Sequence, residues 1–282
     1  MNVRECYGKV FDIQEENKDH GLDMRVTNLQ KTEGLPYFGM ITSLKHGLTF
    51  TPPNDRPLTF YMHKGAVDLI LERFSPAHST CVTGVLREGR SITVPPDMGK
   101  FSICGLEETN DLFIFGPAAN VQYTNSGLYP VNVIDPVHKI KAWGEEIVIV
   151  NNDQVTPAGY CGKLLCMNGP EGLQDEDGDF TWKAWHSSIH KHIIKAETLL
   201  VIEGKVRMEF FYYPKNTNYQ NESFDLTAGQ LVHIHPGLHH RFTGLTKCAI
   251  FEASTFHDDN DSYRIIPSGN VDIGPSIFLG NN

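Results

Sequence analysis

The sequence predicts an all-β protein built from two related halves. The first observation behind this is repetition. Residues 59–69 resemble residues 198–208, and residues 89–96 resemble residues 229–236. Both correspondences run in the same order at an offset of 139 or 140 residues, the mark of an internal duplication. The second observation is texture: both halves are short β-branched and aromatic runs broken by Gly, Pro and Asn, the pattern of a sandwich or barrel. At 282 residues and 40% hydrophobic content the chain is long and apolar enough for two such cores.

The elements follow in order. Residues 1–34 are polar and mixed in charge, an arm that crosses either to the other domain or to a second subunit. The prolines at Pro130 and Pro136 punctuate a linker, dividing the chain into residues 1–135 and 136–282. In the second half, residues 147–152 and 160–165 read as two strands that open a barrel. The acidic run Asp175 to Asp179 is a hairpin tip, lacking the glycine placement and distal glutamate of a calcium loop. Residues 198–202 form a strand that ends at Gly204, residues 214–221 are a loop, and a hairpin through Pro236-Gly237 leads back to His240.

The chemistry-bearing residues are spaced H-x-H-x4-E-x6-G from His190, His192 and Glu197 to Gly204. They continue as G-x6-P-G-x2-H from Gly229 through Pro236-Gly237 to His240. Three imidazoles and a carboxylate are an ordinary ligand set for a divalent transition metal. Residues two apart on a strand share a face, so His190 and His192 can aim at one point. Glu197 lies an odd number of residues beyond His192, so a bulge or bend must restore its facing.

This pattern resembles the two signature motifs of the cupin superfamily. The resemblance covers roughly residues 35–120 and 140–265. It implies a bicupin, two tandem jelly-roll β-barrel domains, with one divalent metal (Mn, Fe, Zn or Ni) on His190, His192, Glu197 and His240. The chain departs from the second motif at His235, where a first proline is usual. Projected back through the duplication, the four ligands fall on Thr51, Pro53, Leu58 and Lys100, so the first barrel is predicted to hold no metal.

The lead-in from Trp143 to residues 160–165 (YCGKLL) resembles cupins of sugar and sugar-phosphate metabolism. The string H-x-H-x-x-K-x-E from His190 to Glu197 resembles cupin-type D-lyxose isomerases. That likeness implies a proton-transfer role for Lys195, which shares the facing of Glu197; a lysine beside a cation has a lowered pKa. The competing reading is a solvent-facing lysine on the turn. His233 and His235 share one facing and are either acid/base groups or buried histidines satisfied by carbonyls. Lys163 either binds an anionic or hydroxylated substrate or snorkels at the barrel rim. Trp185, which with Trp182 and His186 precedes the first ligands, and Arg241, which follows the last, complete the candidate substrate contacts. His239 should face away from His240.

A formal charge of −10 without a basic stripe argues against nucleic acid as a partner, and no apolar run reaches the length of a membrane span. The N-terminus lacks the apolar region of a secretory signal, and the six cysteines form no CxxC pair, so reduced thiols in the cytoplasm are expected. A homodimer is the expected assembly. The function expected is a metal-dependent enzyme acting on a small sugar-like molecule, of aldose–ketose isomerase type. The alternatives are a mononuclear iron dioxygenase and a non-catalytic sugar-binding module.

Overall fold

The computed structural model describes residues 9–12, 23–25, 36–52, 55–74, 79–96, 99–117, 122–123, 132–153, 155–156, 159–174, 180–212 and 220–273, and these are mostly strand. In the first half, one sheet has the order Asn132–Ile134, Ser91–Val94, Leu58–Lys64, Asn110–Pro117, Tyr37–Leu44, Asp23–Arg25. A four-stranded sheet built around Ala66–Phe74 and Lys100–Gly105 lies over it. Phe60, Met62, Val67, Leu69, Phe101 and Ile103 fill the space between them.

The second half repeats the plan. Its first sheet runs Lys9–Asp12, Gln230–Ile234, Glu197–Glu203, Cys248–Thr255, Tyr160–Met167, Gly144–Asn152, Val137–Lys141. The opposing sheet carries Phe180–His186, His239–Gly244, Ile189–His192 and Ser262–Ile266 in that order. Leu199, Val201, Met208, Phe210, Val232 and Ile250 lie in the core between them. The duplication is visible in the backbone: Gly65 and Gly204 each carry the chain from one sheet of their barrel to the other at φ 86° and 77°, a left-handed conformation that glycine adopts without steric cost. The fold is two tandem jelly-roll barrels, as the sequence predicts.

The arm serves both halves: Asp23–Arg25 pairs with Tyr37–Leu44 of the first, and the earlier strand goes to the second. Lys9–Asp12 pairs antiparallel with Gln230–Ile234, Lys9 opposite His233. Of the positions projected from the ligands, Leu58 is buried in the first core and Thr51 and Lys100 are exposed. Pro53, the acidic run Asp175 to Asp179 and most of the 214–221 loop lie outside the described residues. Cys81, Cys104, Cys161, Cys166 and Cys248 are free thiols. No helix among the described residues is long and apolar enough to cross a membrane.

The two halves meet face to face through the sheets that hold Asn110–Pro117 and Cys248–Thr255. Phe115 stacks on Phe251 with centroids 4.8 Å apart, and Phe113 meets the same ring edge-on at 5.2 Å. Glycines make this approach possible. A Cβ on Gly39 would stand 2.7 Å from Phe251, and one on Gly162 would collide with Phe115. Two hydroxyl contacts cross the same interface, Tyr37 to Thr198 at 3.1 Å and Thr59 to Tyr160 at 3.0 Å. Gly39→Ala should overpack the contact and lower the unfolding free energy by about 1–3 kcal/mol, read as a lower urea midpoint. An unchanged midpoint would show that the sheets separate without cost.

Candidate functional site

His190 and His192 sit on Ile189–His192, and His240 pairs directly across from His190. Their side chains therefore share one face of that sheet, inside the barrel. The ring centroids of His190 lie 5.1 Å from His192 and 4.4 Å from His240. Glu197 arrives from the opposing sheet, at the start of Glu197–Glu203. The bend that its odd spacing demands is real and has a named cause. The Asp261 carboxylate accepts hydrogen bonds from the backbone N–H groups of Ile193, Ile194 and Lys195 at 2.8–3.2 Å. This clamp turns the chain so that Glu197 faces back toward His192, with Oε1 at 3.7 Å from Nε2.

Each imidazole is oriented the same way. Nδ1 of His190, His192 and His240 donates to the carbonyl oxygens of Ser188, Asp261 and Leu238 respectively, at 2.9–3.0 Å. A carbonyl can only accept, so the proton is on Nδ1 and the Nε2 lone pairs remain for the site. Burial, then the neighbouring His240, pushes His190 down to about 3, so it stays neutral in mildly acidic solution, and burial lowers His192 as well. Oε2 of Glu197 is buried without a hydrogen bond, although His240 Nε2 stands 3.2 Å away. A lone-pair nitrogen beside an unsatisfied carboxylate oxygen is the chemistry of a cation site. The donors fit a divalent metal in kind. Among the described residues, no three or more His, Cys, Asp or Glu side chains are yet drawn together as a metal-holding group.

Lys195 engages the other oxygen of Glu197. Its Nζ is 2.5 Å from Glu197 Oε1 and 2.6 Å from Glu252 Oε1, and the side chain is 2% exposed. The solvent-facing reading is excluded, and two opposed effects act on its pKa. Burial alone would lower it, but the Glu197 and Glu252 carboxylates outweigh burial and raise it. Burial likewise opposes ionisation of both carboxylates. Lys195 and the imidazoles hold Glu197 well below the usual range, and Lys163 with Lys195 holds Glu252 at about 2. Lys163 is buried rather than at a rim, 3.8 Å from Glu146 and 4.0 Å from Glu252.

These groups line one cavity of about 300 Å³, together with Trp143, Phe242, His257, Asp259 and Arg264. Other candidates fall outside it. His233 pairs with Thr198, the neighbour of Glu197, and so points to the opposite face. Its Nδ1 contacts Thr198 Oγ1 at 3.1 Å, and Nε2 is buried without a partner. His235 is exposed, its ring edge-on to His233 at 4.5 Å. Arg241 faces away from His240 and holds Glu209 through two bonds at 2.6 and 2.7 Å. Trp185 packs on the barrel core; His239, Trp182 and His186 are likewise not in the lining. Glu252, Glu146 and His257 went unnoticed in the sequence. A signal existed for one: Glu252 is the lone charge in the apolar run 249–253.

No protein-family model matches the chain, and no curated protein matches it. Solved structures do. It is similar to a serine-to-alanine variant of Bacillus subtilis oxalate decarboxylase at TM-score 0.61 and 13% identity, over 97% of this chain and 81% of that one. A tryptophan-to-tyrosine variant of the enzyme gives 0.62 at 11% identity, over 99% and 84%. A structure from work on its Mn(II) centres gives 0.58 at 11%, over 97% and 81%. At such identities the likeness concerns the fold alone, two tandem β-barrels; it does not extend to the H-x-H-x-x-K-x-E resemblance.

His233 supplies a pH test independent of metal. Burial, then His235, depresses it from 6.5 to about 4. The unfolded chain therefore takes up this proton first as pH falls. The stability is fully present above pH 6.5 and is lost between there and about 4, by roughly 1–3 kcal/mol for this one group. Urea unfolding of chelator-treated protein across that window should show the loss, and His233→Asn should flatten the slope. An equal slope in the variant would assign the loss to other groups.

Proposed function

We propose that this chain is a metal-dependent enzyme of aldose–ketose isomerase type, acting on a small hydroxylated molecule. His190, His192, Glu197 and His240 would hold one divalent transition metal. The three free Nε2 lone pairs and the unsatisfied Glu197 Oε2 support this, as does the fold's likeness to a decarboxylase with Mn(II) centres. When bound, such a metal supplies a Lewis acid that polarises a carbonyl and the adjacent hydroxyl.

One contact carries the reading: Lys195 Nζ, a proton-bearing group, touches Glu197, a residue that would hold the metal. A substrate on the metal would lie within reach of that ammonium, which can hydrogen-bond to an oxygen and move a proton between neighbouring oxygens. Lys163 and Glu252 keep it in place, and Trp143 and Phe242 give the cavity an apolar wall. The volume, about 300 Å³, suits one small molecule. The decarboxylation chemistry of the structural neighbours is not carried over, because a shared fold does not assign a reaction.

Metal analysis should find about one divalent ion per chain, and His190→Ala or His240→Ala should remove most of it. Full occupancy in either variant would overturn the ligand set. Incubating a panel of aldoses and ketoses in heavy water should place deuterium on the carbon next to the carbonyl. Lys195→Met should slow that exchange by about 10²–10⁴-fold with metal retained. Because this change leaves two buried carboxylates without their cation, folding is checked by thermal melting, with Lys195→Arg as the second variant. No exchange with any sugar, with oxygen uptake by the iron-loaded protein, would replace the isomerase reading with a dioxygenase.

A further inference from the structure

We propose that His257 is a catalytic residue of this site, the group that takes the proton from substrate carbon, with Asp259 and Asn151 as its positioning residues. The proposal rests on the isomerase reading and adds the base that reading lacks. An isomerisation needs a proton acceptor. Lys195 is poorly placed for that role, since its Nζ lies between two carboxylate oxygens at 2.5 and 2.6 Å, contacts that require protons on the nitrogen.

His257 has the opposite character. It lines the same cavity, and its Nε2 is 3.1 Å from Asp259 Oδ1. The carboxylate accepts, so Nε2 carries the hydrogen and Nδ1 carries the lone pair. That Nδ1 is buried and has no partner among the described residues. A dry, unpaired acceptor is costly unless something supplies a donor. A substrate C–H or O–H inside the cavity would be that donor.

The ring is also held in place. Asn151, at the end of Gly144–Asn152, grips the His257 backbone from both sides. Its amide nitrogen donates to the His257 carbonyl at 2.9 Å, and its oxygen accepts the His257 N–H at 2.8 Å. The adjacent Phe256 N–H is tied to the Gly159 carbonyl at 2.9 Å. The imidazole stands edge-on to His192 with centroids 6.1 Å apart, next to the proposed metal position. An Asp–His pair with a fixed backbone and a bare nitrogen has the geometry of an oriented general base.

The step balances. As the C–H bond next to the carbonyl breaks, its electron pair forms the carbon–carbon double bond of an enediol, and the carbonyl π pair moves onto oxygen. The proton goes to Nδ1, exchanges there with solvent while the enediol stands, and the same nitrogen delivers a proton to the neighbouring carbon. The hydroxyl proton passes from one substrate oxygen to the other by way of Lys195. No oxidant or further reactant enters.

The test has two arms on the full-length, zinc-loaded protein. In the first, long-range ¹H–¹⁵N spectra of histidine-labelled protein, assigned by loss of signals in His257→Gln, report the tautomer. A hydrogen on Nε2, lost as the dominant form in Asp259→Ala, is expected; a hydrogen on Nδ1 overturns the proposal whatever the activity. In the second, deuterium exchange is measured with the sugars that exchange in the wild type. His257→Gln should lower kcat by about 10²–10⁴-fold, with KM and zinc content nearly unchanged. Asp259→Asn should lower kcat less and also spare KM, which a merely structural role would not do. Exchange in the wild type that survives in His257→Gln overturns the His257 role alone. Exchange absent from the wild type overturns the isomerase reading and this step with it.

Discussion

An ammonium buried between two carboxylates is the constraint on which the rest of the second barrel depends. Removing Lys195, Glu197 and Glu252 from water is expensive, and their mutual attraction repays it only when geometry and hydrogen bonds are nearly complete. The surroundings show how that is met. Lys163 approaches Glu252 from the neighbouring strand, Ser254 donates to the same carboxylate at 3.1 Å, and the turn into Lys195 is tied to Asp261. The one oxygen left out is Glu197 Oε2, on the side where the imidazoles gather. With the other oxygen held by Lys195, the unsatisfied valence of Glu197 is left on the side of the imidazoles.

The first barrel contributes from behind. The sheet strand that begins with Glu197 presents Thr198 to the interface, where Tyr37 of the first half meets it. Alternation along one strand thus puts the candidate ligand on one face and the contact with the other half one residue later on the reverse face. The first half covers that reverse face with Phe113, Phe115 and Tyr61, which keeps water from the back of the strand. Of its own counterpart positions, Leu58 is buried in the first core and Thr51 and Lys100 are exposed.

What the sequence disclosed was what is local. H-x-H is a two-residue relation on one strand, and the bend before Glu197 follows from counting. The duplication was legible because turn glycines recur at matching places. The residues that escaped notice reach the site through tertiary pairing. Glu252 and Lys163 are partners only through strand register, and His257 enters from the segment after the last long strand. The misplacement of His233 and His235 has the same root. Their shared facing was readable, but which face it was depended on His233 standing opposite Thr198 rather than Glu197. Arg241 was avoidable, since a neighbour of His240 on a regular strand must point the other way.

The pairing of Lys9–Asp12 with Gln230–Ile234 bears on how the chain is made. Lys9–Asp12 leaves the ribosome well before its partner, which lies more than two hundred residues later in the chain. Joining them closes a very long loop, which is slow, and it cannot begin until most of the polypeptide exists. Until then the strand that follows the Glu197 strand in the sheet has an open edge, with unpaired N–H and C=O groups that another nascent chain could pair with. The site-bearing barrel is thus completed by a strand made long before its partner, and chains in which the two have not yet joined carry a sticky edge that the folded protein conceals.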